Sequence, residues 1–182
     1  MTNPEKSPLV GVIMGSDSDL PTMLPAGEVL DSFNVANEFR IMSAHRTPER
    51  MTEYARSARK RGLQVIIAAA GGSAHLPGMT ASETILPVLG VAIESRPDVQ
   101  NAAIGSMIYM PPGIPLATMG RGEGAAKNAA LEAVRILALH DESLSEAYID
   151  YVAKLASEVK TKDDQLLELG RTTYADRMAG NK

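Results

Sequence analysis

Short apolar runs rich in β-branched residues alternate with longer stretches of helical periodicity along most of this chain. Leu9 to Met14, bounded by Pro8 and Gly15, reads as a strand buried on both faces, and residues 20–33 as the helix after it. Residues 34–42 give a second strand and 48–61 a second helix, in which Met51, Tyr54, Ala55 and Ala58 recur on one face and Gly62 ends the element. Val65 to Ala70 is a third buried strand, Val88 to Ile93 a fourth and Leu116 to Met119 a short fifth. Residues 96–105 look irregular. An alanine-rich helix is expected over 125–139, and Leu144, Ala147, Tyr148, Tyr151, Val152, Leu155 and Val159 form a stripe on a further helix over 143–161. Residues 162–182 read as a loosely ordered polar tail.

This alternation predicts an α/β fold with a parallel sheet of five strands and helices on both faces. The length favours one catalytic domain over residues 1–140, with a C-terminal helix and tail over 141–182. Because the five-strand core is complete without it, the apolar stripe of that helix is expected to pack on a neighbouring subunit.

Composition narrows the chemistry. A formal charge of −4 and a pI near 5.4 argue against a broad nucleic-acid surface, while small anions remain candidates. No cysteine is present, so thiolate catalysis, disulfides and cysteine-held zinc are excluded. The polar N-terminus and the short apolar run after it fit neither a signal peptide nor a membrane span, which makes the cytoplasm the expected location.

In a parallel sheet, ligands bind where strands end, and three loops of interest follow strands. Gly15-Ser16-Asp17-Ser18-Asp19 opens a helix whose N–H groups and hydroxyls would attract phosphate. There Ser18 and Asp19 read first as helix caps, with a sugar diol as the alternative partner of Asp19. Ser43-Ala44-His45-Arg46-Thr47-Pro48-Glu49 sets a histidine beside an arginine at a helix start that the Thr47 hydroxyl is expected to cap. A titratable imidazole next to a fixed guanidinium suits chemistry on an anion, against the plainer reading of a solvated helix start. Gly71-Gly72-Ser73-Ala74-His75-Leu76-Pro77-Gly78 lets backbone amides approach an anion or a planar ring, and His75 alone reads as a hydrogen-bonded spacer. Metal binding through His45, His75 and Asp19 is disfavoured because they lie in separate loops. Gly120-Arg121-Gly122-Glu123-Gly124 reads as a loop rather than a dinucleotide site, and His140 as a helix-end residue.

These three segments, with Leu86-Pro87-Val88-Leu89-Gly90-Val91, Met110-Pro111, Gly113-Ile114-Pro115 and Lys127-Asn128-Ala129-Ala130-Leu131, closely resemble the signatures of the N5-carboxyaminoimidazole ribonucleotide mutase family of purine biosynthesis. The resemblance implies a flavodoxin-like three-layer sandwich, a homo-octamer, a phosphorylated ribonucleotide substrate, and neither cofactor nor metal. It implies His45 as acid and base, with His75 also catalytic. Ser16, Ser43 and Arg46 would hold the phosphate and Asp19 the ribose hydroxyls. Ala44, Gly71, Gly72, Ser73 and Leu76 would complete the substrate site, the glycine loop enclosing carbon dioxide and Leu76 closing the pocket. The His-Leu-Pro-Gly form of the third motif points to the mutase rather than to a carboxylase using free carbon dioxide; a non-catalytic purine-intermediate binder is the third alternative. Ala69, Ser73, Ala102-Ala103, Tyr109 and residues 120–123 depart from the family pattern, which bears on subunit contacts and pocket detail more than on reaction type.

Overall fold

A computed structural model describes residues 7–94 and 100–180, and the chain separates into two compact units, residues 1–140 and 141–182. In the first unit five parallel strands, β1 (Val10–Met14), β2 (Asn37–Ile41), β3 (Val65–Ala70), β4 (Val88–Ala92) and β5 (Ala117–Arg121), pair in the order β2-β1-β3-β4-β5. This is the flavodoxin-like order expected of a chain that reverses its winding direction after β2. Every residue of β1, β3 and β4 is buried, whereas β2 and β5 form the half-exposed edges. The uninterrupted apolar runs are therefore the central strands, and the run carrying Glu38 and Arg40 is an edge.

Helices α1 (Leu20–Ser32) and α5 (Gly122–Ala138) pack against each other on one side of the sheet. Met23, Ala26 and Leu30 of α1 and Ala125, Ala126, Ala129, Ala130, Ala133, Val134 and Leu137 of α5 are their buried residues. Small alanine side chains allow the two axes a close approach. On the other side, α3 (His75–Glu83) packs against both α2 (Pro48–Ala58) and α4 (Gln100–Ile108). Gly90 in β4 leaves room for Met107 of α4, which a methyl group there would crowd.

Several elements differ from the sequence reading. Helix α4 occupies most of the stretch taken as irregular, because its burial of Ala103 and Met107 outweighs a weak amphipathic pattern; residues 95–99 lie outside the described residues. The glycine segment after β5 is not a loop: β5 runs to Arg121 and α5 starts at Gly122, with Gly120 and Gly122 at φ 101° and 73° making the change of direction. In the second unit α6 extends over Glu142–Leu169, 28 residues, and α7 over Arg171–Gly180, so the tail is helical. Its Lys, Gln, Glu and Leu content is helix-forming even where no face is uniformly apolar. Gly170, at φ 71°, separates the two. Of the stripe on α6, Val152, Leu155 and Val159 are exposed.

Candidate active site

The order of the sheet makes β2, β1 and β3 neighbours, so the loops after them emerge side by side at the carboxyl edge. Backbone bonds join the strand ends directly: Met42 N–H donates to Met14 O at 2.8 Å and Gly15 N–H to Ala69 O at 3.3 Å. Side chains join the loops above them. The Arg46 Nη2 group donates to Gly15 O at 3.2 Å, and His45 Nε2 lies 2.7 Å from His75 Nδ1 although 30 residues separate them. The two imidazoles meet edge-on, with planes 88° apart and centroids 4.9 Å apart. Both are exposed at the rim.

The loop after β1 turns through one 3₁₀ turn, Asp17–Asp19, before α1. Ser16 is its N-cap: its hydroxyl accepts from Ser18 N–H at 3.3 Å, while Asp19 Oδ2 accepts from Ser16 N–H at 3.1 Å. The capping role expected of Ser18 thus falls to Ser16, and Asp19 closes the reciprocal bond of a capping box. Burial raises the Asp19 carboxyl above the ordinary aspartate value; hydrogen bonds from Ser16, Gly15 and Ser18 counter this in part. The Ser16 hydroxyl donates to Asp17 Oδ1 at 3.0 Å, so its proton is engaged by a neighbouring carboxylate.

The loop after β2 is closed on itself by Thr47. Its hydroxyl donates to Ser43 O at 3.1 Å and accepts from Ser43 N–H at 3.0 Å. It makes no bond to the first turn of α2, so the capping role predicted for it is replaced by bracing of the loop. Ser43 Oγ accepts from Arg46 N–H at 3.1 Å and from Arg46 Nε at 3.4 Å, which leaves its own proton for a ligand oxygen. Ala44 and Leu76 turn inward and belong to the buried core cluster. In the third loop Gly72 and Ala74 take φ values of 63° and 44°, and Ala74 is the left-handed residue at which α3 begins. Such a conformation costs a residue bearing a Cβ about 1–2 kcal/mol, held here by burial of that residue. Ser73 and His75 are exposed on either side of it.

The rim therefore brings together a hydrogen-bonded pair of imidazoles, a braced guanidinium, serine hydroxyls and a capping carboxylate. Among the described residues, no group of three or more histidine, aspartate or glutamate side chains could hold a metal ion. The set can bind a phosphate ester and move a proton.

Comparison with known proteins gives a consistent picture. A family profile described as AIR carboxylase matches residues 9–158. A protein of Synechocystis sp. named N5-carboxyaminoimidazole ribonucleotide mutase is 51% identical over 177 residues, covering 97% of this chain and 98% of that protein. One of the same name from Bacillus subtilis is 48% identical over 160 residues, 88% of this chain and 99% of its own length. The crystal structure of Treponema denticola PurE superposes with a TM-score of 0.79 at 29% identity, covering 87% of this chain and 98% of that one.

Proposed function

Since this chain belongs to the AIR carboxylase family, we propose that it is the mutase of purine biosynthesis that converts N5-carboxyaminoimidazole ribonucleotide to 4-carboxy-5-aminoimidazole ribonucleotide. The observation that carries the mechanism is the meeting of His45 with His75 beside Arg46 at a single sheet edge.

In this reading His45 gives a proton to the exocyclic nitrogen as its bond to the carboxylate breaks and carbon dioxide departs. The adjacent ring carbon then bonds to carbon dioxide, and His45 takes the proton that this carbon loses. One imidazole serves both steps because it ends each turnover in the protonation state in which it began. Arg46, Ser43 and Ser16 hold the phosphate, Asp19 the ribose hydroxyls, and the backbone of residues 71–73 encloses carbon dioxide. Ala44 completes the substrate site and Leu76 closes the pocket, both from buried positions. The chain works in the cytoplasm as a homo-octamer, with the α6 stripe buried on a neighbouring subunit.

Turnover is tested by mixing the protein with the carboxyamino substrate and following ultraviolet absorbance. His45→Asn is expected to lower kcat by at least about 100-fold while leaving substrate binding measurable. Full activity in that variant removes His45 from the mechanism. Appearance of labelled bicarbonate in product at its exchange-limited maximum would point instead to carboxylation by free carbon dioxide.

A further inference from the structure

The contact between His45 and His75 determines more than their proximity. A nitrogen-to-nitrogen separation of 2.7 Å admits one proton, so one ring donates and the other accepts. The centroid distance of 4.9 Å is close to that separation plus the two ring radii, so the bond runs nearly in the plane of each imidazole. His45 Nδ1 and His75 Nε2 are left at the two outer ends.

We propose that His75 is a positioning residue that fixes the tautomer of His45: His45 donates through Nε2–H, His75 accepts at Nδ1, and Nδ1 of His45 is the atom that exchanges its proton with substrate. This rests on the reaction assigned above. Only this polarity survives the whole cycle. As an imidazolium, His45 has N–H groups at both nitrogens and can only donate to His75. When the Nδ1 proton has passed to the substrate nitrogen, Nε2–H still donates, and the proton from the ring carbon returns to the vacated Nδ1. With the opposite polarity, Nε2 would have to accept a bond while His45 is fully protonated, and the contact would break in every turnover.

The test combines ring-nitrogen correlation spectra of the free protein at about pH 8.5, where an imidazole ordinarily carries one proton, with kinetics of His75→Asn and His75→Ala. His75 is exposed, so neither change disturbs the core. The expected result is an Nε2–H tautomer for His45 in the parent protein and in His75→Asn, whose side-chain oxygen can take the same bond. In His75→Ala that tautomer becomes mixed and kcat falls at least about tenfold with KM nearly unchanged, while Asn restores most of the rate. An Nδ1–H tautomer in the parent protein, or an alanine variant that keeps both tautomer and kcat, overturns the proposal. If the parent protein fails to turn over the carboxyamino substrate, the assigned reaction falls, and the spectra still decide the polarity of the bond.

Discussion

Asp17 accepts the Ser16 hydroxyl proton at the point where a phosphate is proposed to bind, and its negative charge opposes that ligand. Asp17→Asn is therefore expected to lower KM for the phosphorylated substrate by about two- to fivefold with kcat unchanged, the size of one exposed charge interaction. Steady-state kinetics at low ionic strength test this. Asp19 behaves differently, because its raised carboxyl disfavours the charged form in the fold. The sign follows: a folded value above the ordinary 3.8 means that ionisation of Asp19 costs stability above that folded value, and that protonation recovers it as pH falls. Asp19→Asn keeps an oxygen for Ser16 N–H and removes the buried charge, so thermal stability should be unchanged or raised, while ribose recognition weakens. A large fall in melting temperature would count against this account. That the three loops share one edge was legible from the sequence; the bonds within them were not, since whether Thr47 caps a helix or braces a loop depends on φ and ψ and not on residue type.

Among elements, α2 and the edge strand β2 are joined by one polar cluster. Tyr54 donates to Glu38 Oε1 at 2.9 Å, Arg61 meets the same oxygen at 2.7 Å, and Arg40 holds the other at 3.1 Å. The Arg61 guanidinium also lies 4.6 Å from the centre of the Tyr54 ring. Burial by itself raises the Glu38 carboxyl, but Arg61, Tyr54 and Arg40 together outweigh it and hold the group below the ordinary glutamate value. Glu38 then contributes stability fully above the ordinary 4.5 and loses it as pH falls through its depressed folded value. Urea unfolding of Glu38→Gln between about pH 3 and 7 should show a shallower acid dependence than the parent. Tyr54→Phe should cost about 1–2 kcal/mol at neutral pH. At Gly11 of β1 a methyl group would overlap the Tyr54 hydroxyl, so Gly11→Ala should cost about 1–3 kcal/mol through displacement of that ring. The central strands were readable because their apolar runs are buried throughout, and the strongly amphipathic α2 because its burial repeats the sequence period. Helix α4 was missed because its apolar and small residues show no helical stripe, and its Met107 is seated against Gly90, which belongs to another element.

For the whole molecule, the sheet order decides where chemistry can occur, since it makes the loops after β2, β1 and β3 adjacent. The alternation of strand and helix put these loops at one carboxyl edge; the strand order itself was implied only by the family resemblance. The helical second unit was only half readable, its polar end looking like a tail. Val152, Leu155 and Val159 on α6 are the residues proposed to meet a neighbouring subunit, and removing the chain after Leu139 should reduce the assembly size in sedimentation. An unchanged assembly would remove α6 from that role. The charged face of β2 has a separate consequence. An outermost ribbon studded with Glu38 and Arg40 is a poor template for a foreign ribbon, because a docking copy would have to strip water from fixed ions. Neutralising both with valine should turn heat-induced clumping into fibrils that stain with thioflavin.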